Sequence, residues 1–389
     1  MIGGHCDPRF EQVRQTFEDT FERGAEIGAA VAVYLGGELV VDLWGGQRDR
    51  HTGEPWEEDT PCLSWSCTKG VTAAVMLMLA DKGALDLSAP VADVWPEFGA
   101  AGKERITIAE VMSHRAGLPA LEGDPPAEEV AEPVRLAERL AAQKPVWEPG
   151  TAHGYHALTY GWLLGEVVRR ATGRTVGEIV NEDVAPGLEM WLGAPDDVIA
   201  RTARLSWKER RATTEAPPGL RPGTALYEMA QAAADPDSLM NRALYNPPVH
   251  KLPGGFGNPL ALRAGVPAAG LVATARGLAG FYRDLLAGRI VAPDTLRDAL
   301  VPRSQGPDRI LYIDSAFGLG FMRPSTTFLL PQGARAGAFG HTGLGGAIGL
   351  GDVERGLALA YIPNKMGSSV SGGLRAYNLI NAAYASLSS

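Results

Sequence analysis

The chain has 389 residues, 45% of them hydrophobic and 21% charged, with a formal net charge of -9. That is a globular balance, long enough for one large or two ordinary domains, and it excludes a disordered or fibrous chain. It leaves no basic footprint for nucleic acid and no polybasic patch for a membrane surface.

Cys6, Cys62 and Cys67 are odd in number and spaced for neither a disulfide framework nor a zinc site. They read as small thiols of a reducing compartment. The start, MIGGHCDPRF, has no apolar core and no basic n-region, so no signal peptide is expected. With no apolar run long enough to cross a bilayer, the expected location is the cytoplasm.

Residues 8–24 form the first predicted helix, with Phe10, Val13, Phe17 and Phe21 at helical spacing and Gly24 as its stop. Residues 29–46 are two strand-like runs around Gly36-Gly37, a hairpin signal. From Thr68 to Gly83 the pattern is helical again. Val71, Val75, Met78 and Leu79 share a face, and Gly83 suits a C-terminal cap.

Residues 84–265 alternate helical patterns with loops rich in proline and glycine. The helices are 106–114, capped near Thr107, then 133–143, then 158–173 ending on Gly173. Residues 213–223 and 245–259 read as loops. Strands return over 336–343, 345–351 and 356–364, around a turn at Asp352–Arg355, and 371–387 closes as a helix. The expected fold class is α+β. Residues 1–83 and 266–389 together build an antiparallel sheet flanked by helices. Residues 84–265 form an inserted, mostly helical lobe, with an active site in the cleft between them.

The chemistry centres on Ser66-Cys67-Thr68-Lys69. A serine hydroxyl needs a base to become a nucleophile. Residues three apart on a helix share a face, and a helix N-terminus offers free N–H groups to an oxyanion. A lysine acts as base only if burial or a neighbouring charge lowers its pKa. Alone, the quartet is a capped helix start with an exposed lysine. Four more segments change its weight: VMSHRAGLP (111–119), WEPGTAHGYH (147–156), AAGLVATARGLAGFY (268–282) and FGHTGLGGAIGL (339–350).

With these five segments in this order, the chain resembles the serine β-lactamase and penicillin-binding-protein superfamily, nearest to class C β-lactamases and family VIII carboxylesterases. The resemblance implies that Ser66 forms the acyl-enzyme. Lys69 and Tyr155 would share the proton work, with the Tyr155 pKa brought down by Lys69. His341-Thr342-Gly343 would be the third motif on the sheet edge. The backbone N–H groups of Ser66 and Leu344 would form the oxyanion hole. Gly345 and Gly346 would let substrate approach, and His156 would support Tyr155 or its loop. The segment 268–282 would be the late helix of the helical lobe.

Two departures weaken a lactamase reading. Tyr155-His156-Ala157 lacks the asparagine of the class C motif, and His341 stands where a lysine favours a carboxylate. The expected function is therefore a serine carboxylesterase acting on small short-chain or aryl esters. The alternatives are an acyltransferase using the same acyl-enzyme, a β-lactamase or D-amino-acid peptidase, and an inactive binding module. No cofactor is expected. His153 and His156 lack a metal-ligand spacing. Gly343, Gly345 and Ile348 do not fit a phosphate loop, and residues 367–371 do not form a nucleophile elbow. Trp147, Trp162, Trp191 and Trp207 read as core, with those on loops able to line an acyl pocket.

Overall fold

The computed structural model describes residues 2–207, 220–367 and 371–387. The chain opens with strand β1 (Ile2–Cys6), helix α1 (Glu11–Glu22), and strands β2 (Gly28–Leu35), β3 (Glu38–Asp49) and β4 (Glu54–Pro55). It closes with β10 (Ala338–Thr342), β11 (Ile348–Asp352), β12 (Leu357–Pro363) and a C-terminal helix, Leu374–Ala385. These strands form one sheet in the order β1-β3-β2-β12-β11-β10, with β4 paired to β3. Every neighbouring pair is antiparallel. The two ends of the chain meet where β12 pairs with β2, Leu357 opposite Leu35 and Pro363 opposite Ala29.

The alternation of side chains explains why both faces are covered. Val31 and Val33 of β2 and Leu359 and Tyr361 of β12 pack with Val13 and Phe17 of α1 and with Leu379 and Ile380 of the C-terminal helix. The intervening residues Ala30, Ala32, Ala358 and Ala360 face the other way. Their small side chains let the helix Ala275–Leu286 lie close, through Leu278 and Tyr282. A Cβ at Gly349 would stand 2.5 Å from the Tyr282 ring, so the sheet needs glycine there. Residues 268–282 thus hold a short strand, β7 (Leu271–Ala273), and a helix that covers the large sheet, not the helical lobe that the resemblance implied.

Strand β1 was not foreseen from MIGGHCDPRF. It is an edge strand, and its paired glycines hide the strand pattern. In the middle of the chain the helices Thr68–Asp81, Ile108–Met112, Pro133–Ala142 and Thr159–Thr172 follow the sequence reading closely. Thr107 closes a capping box with Glu110, and Gly173 ends its helix with φ 72°. The loop read at 213–223 lies outside the described residues up to 219, and 368–370 are outside them too. A second, three-stranded sheet was also not foreseen. Its strands β5 (Cys62–Leu63), β7 and β6 (Met190–Leu192) tie the segment leading to Ser66 to the middle of the chain. A hairpin of β8 (Ser304–Pro307) and β9 (Asp314–Phe317) completes the strands used below. Among the described residues no helix is long and apolar enough to cross a membrane.

Candidate active site

Ser66 sits in a tight turn, Trp65–Cys67, that leads straight into the helix Thr68–Asp81. Trp65 takes a φ of 55°, a left-handed conformation that a tryptophan adopts only under constraint. The constraint is visible on both sides. Ser64 donates to the Leu271 carbonyl through its backbone N–H (2.8 Å) and its hydroxyl (3.0 Å). The Thr68 hydroxyl donates to Trp65 O and accepts from Leu271 N–H at 3.0 Å. The third-motif strand packs on the same turn, since a Cβ at Gly343 would stand 2.5 Å from Ser64 O and 3.2 Å from Trp65 Cβ. Cys67 faces inward and donates its thiol to His341 O at 3.3 Å. The outcome is selective exposure: between residues 60 and 79, Ser66 is the one side chain that is not buried.

Lys69 is fully buried one turn along. Its Nζ lies 2.7 Å from Ala157 O, 2.9 Å from Ala268 O and 3.0 Å from Ser66 Oγ. Burial pushes its pKa well below the ordinary lysine value. A neutral amine has two N–H donors and one lone pair. In that neutral form the two carbonyls would take the donors and leave the lone pair for the Ser66 hydroxyl. Ala157 holds the position of the missing asparagine, and it contributes a backbone carbonyl instead of an amide side chain.

Tyr155 lines the same cavity as Ser66, and its ring centroid lies 4.6 Å from Lys69 Nζ. The expectation that Lys69 would bring the Tyr155 pKa down does not hold. Burial raises it far above the ordinary value, and the neighbouring Ser66 hydroxyl offsets only part of this. With its pKa raised by burial, the tyrosine stays a protonated donor.

The remaining residues named from sequence also gather here. His341 is buried. It donates Nδ1–H to Thr342 O at 2.7 Å, and its ring centroid is 6.0 Å from that of Tyr155. Burial, with Lys69 adding to it, pushes its pKa down to about 3, so the ring is neutral. Thr342 Oγ1 lies 2.6 Å from Ser371 Oγ. Leu344, Ser66 and Tyr155 line one cavity, which brings both proposed oxyanion N–H residues to the same wall. Gly345 has φ 80° and Gly346 has φ 120°; Arg375 donates to Gly345 O at 2.7 Å and so fixes the turn. His156 accepts from Leu118 N–H at Nε2 (3.0 Å) and donates Nδ1–H to Gly154 O (2.7 Å). Burial pushes its pKa down to about 4, so it is a neutral brace between two loops.

Sequence reasoning missed His114, Asp308 and Ser315. His114 has φ 61°, and its Nδ1 accepts the His156 N–H at 3.1 Å. Asp308 and Ser315 lie far along the chain from Tyr155, and no local pattern marks them. Trp65, directly before Ser66, was missed as well and lines the cavity. That cavity, about 720 Å³, opens from Ser66 toward Trp65, Trp207, Tyr245 and Phe256. Trp65 meets Trp207 edge-on at 5.8 Å and Phe256 at 5.1 Å. Trp207 is held there because Arg204 N–H and Ser206 N–H donate to Arg48 O and Asn364 O, each at 2.8 Å. Of the four tryptophans singled out, Trp207 lines the cavity, whereas Trp147 and Trp162 are core.

The beta-lactamase family model matches residues 13–384. The chain belongs to the beta-lactamase family. It is 35% identical over 400 residues to esterase/beta-lactamase LipL of Mycobacterium tuberculosis, covering 99% of this chain and 89% of that one. A crystal structure of a family VIII carboxylesterase superposes with a TM-score of 0.85 at 33% identity, over 99% of this chain and 100% of the other. A penicillin-binding protein homolog from Caulobacter crescentus gives a TM-score of 0.82 at 35% identity, over 99% and 100%. The α+β architecture read from the sequence is the beta-lactamase fold.

Proposed function

We propose that this beta-lactamase family protein is a serine carboxylesterase that works through an acyl-enzyme on Ser66. The Lys69 lone pair accepts the Ser66 proton as Oγ attacks the ester carbonyl. The backbone N–H groups of Ser66 and Leu344 receive the developing oxyanion. As the C–O bond to the alcohol breaks, the Tyr155 hydroxyl donates its proton to the leaving oxygen and is reprotonated from Lys69. Water then attacks the acyl group by the same path in reverse, returning Ser66 and releasing the acid.

One observation carries this reading: a buried amine whose two donors are taken by Ala157 O and Ala268 O, with Ser66 Oγ as its third neighbour. The names of the relatives, an esterase/beta-lactamase and a family VIII carboxylesterase, point the same way. The aromatic wall of Trp65, Trp207 and Phe256 suits an aryl or other bulky apolar group. Against β-lactams, His341 is neutral and Ala157 has no amide to offer. The test compares p-nitrophenyl acetate and butyrate with nitrocefin. Efficient ester hydrolysis with slow nitrocefin turnover is expected; the reverse order, or no hydrolysis of either ester, contradicts the reading.

A further inference from the structure

Tyr155 lies on a loop without regular structure, yet its hydroxyl must meet Ser66 to within hydrogen-bond distance. What holds it comes from a hairpin about 150 residues further on. The Asp308 carboxylate is buried, and its Oδ1 accepts three backbone N–H groups: Tyr155 at 3.0 Å, Ile310 at 2.9 Å and Leu311 at 2.9 Å. Its Oδ2 accepts the Ser315 hydroxyl at 2.8 Å. Four donors converge on one carboxyl group, which acts as an acceptor toward all of them. Because Ser315 gives its proton to Asp308, it can only accept from His153 Nε2–H, 2.9 Å away. His153 is two residues before Tyr155, and its carbonyl accepts the Arg309 N–H at 3.2 Å.

The same hairpin grips the tyrosine ring. Phe317 stacks on Tyr155 with centroids 6.1 Å apart and planes 12° from parallel. It also meets His114 at 4.4 Å, and Ser304 donates to Ser113 O at 3.0 Å. The turn that aims Asp308 is strained: Tyr312 takes φ 62° and donates its N–H back to Asp308 O at 2.9 Å. A carboxylate buried with three N–H groups of two separate segments is costly to assemble, and here it joins the hairpin to the Tyr155 loop and to nothing else the site needs.

We propose that the hairpin Ser304–Phe317, through Asp308, is the positioning element of Tyr155. The inference rests on the proposed acyl-enzyme chemistry. Asp308 touches no reacting atom. It fixes the backbone from which the Tyr155 hydroxyl reaches Ser66, and its charge adds to the forces that keep that hydroxyl protonated.

A double-mutant cycle tests this, with Asp308→Ala, Asp308→Asn and Tyr155→Phe read on p-nitrophenyl acetate hydrolysis and on Ser66 labelling by a fluorophosphonate. Asp308→Ala should lower kcat roughly 10- to 100-fold, the scale of a small misplacement of a reacting group. KM should stay within about threefold, because the aromatic wall of Trp65, Trp207 and Phe256 is untouched. Asp308→Asn should recover most of the loss. Its amide oxygen still accepts Tyr155 N–H, and Ser315 can reverse its hydroxyl toward His153. On a Tyr155→Phe background, either substitution should cost no more than about twofold, since both residues act through one hydroxyl. Additive losses, or an Asp308→Ala kcat within about twofold of the parent, overturn the proposal. If Asp308→Ala does not fold, Phe317→Leu, which loosens the hairpin's grip on the tyrosine ring, closes the cycle with Tyr155→Phe: a kcat loss that vanishes on the Tyr155→Phe background supports the proposal, and an additive loss overturns it. A parent protein that is labelled at Ser66 but hydrolyses no ester contradicts the esterase reading alone, and the cycle is then read in labelling rates.

Discussion

Gly343→Ala isolates the packing that makes the turn at Ser66. Gly343 has φ -108°, where alanine is at ease, so the substitution adds no backbone strain. What it adds is a methyl group 2.5 Å from Ser64 O, 3.0 Å from Ala347 Cβ and 3.2 Å from Trp65 Cβ. The worst contact is with a backbone oxygen, which cannot rotate away. Ser64 is in turn fixed by two hydrogen bonds to Leu271 O. The turn must therefore shift by roughly 0.5 Å or more, and overpacking of this kind costs about 1–3 kcal/mol. Because Ser66 is two residues from the clash, the shift moves Oγ relative to Lys69 Nζ and the Leu344 N–H. Misplacement on this scale lowers kcat by about 10- to 100-fold. The assay is p-nitrophenyl acetate hydrolysis beside a urea unfolding curve, with Gly333→Ala as the control because its Cβ would meet nothing within 4 Å. Activity and unfolding midpoint of Gly343→Ala both matching the control would refute the claim that the third-motif strand braces the turn.

Lys69→Met should abolish ester hydrolysis, by at least about 10³-fold. Lys69→Arg should not restore it, because a guanidinium keeps its proton. Since the folded pKa of Lys69 is depressed, hydrolysis should fall as pH drops through that value. His156, near 4, and His341, near 3, are neutral from pH 5 to 8 and do not create the limb. The stability effect has a definite sign. Below the ordinary lysine pKa the unfolded chain holds a proton that the folded chain lacks, so stability rises with pH across that window. Lys69→Met should therefore be more stable than the parent at pH 7, with a gap that narrows toward pH 10; a gap that widens contradicts a neutral Lys69. Trp207→Ala should lower kcat/KM for aryl acyl esters by about tenfold, equal to about 1.4 kcal/mol, while leaving the acetate nearly unchanged. Equal losses on both would remove Trp207 from the acyl pocket.

Much of the fold was legible because its signals are local. The Gly36-Gly37 hairpin, the Thr107 box and the Gly173 cap each lie within a few residues of what they control. Ser66 and Lys69 were legible for the same reason, being three apart on one helical face. Tyr155, His341 and Leu344 entered through the resemblance, and the geometry gathers them around Ser66. Long-range bonds were not legible. Asp308 reaches Tyr155 across 153 residues, and Lys69 reaches Ala268 across 199. The pKa expectation for Tyr155 failed because proximity to a lysine was weighed without burial. The resemblance put the helix at 275–286 in the helical lobe, while the boundary at 266 put it with the sheet, where it packs; a motif matched in order does not say which layer it covers.

The central claim is that Ser66 is the nucleophile and Lys69 its neutral base. The most direct measurement is peptide mapping by mass spectrometry after reaction with a fluorophosphonate, run across pH for the parent and for Lys69→Met. One adduct per chain on the peptide holding Ser66 is predicted, formed at a rate that falls with acid in the parent and is near background in Lys69→Met. An adduct on another residue, or labelling of Ser66 that persists without Lys69, would contradict it.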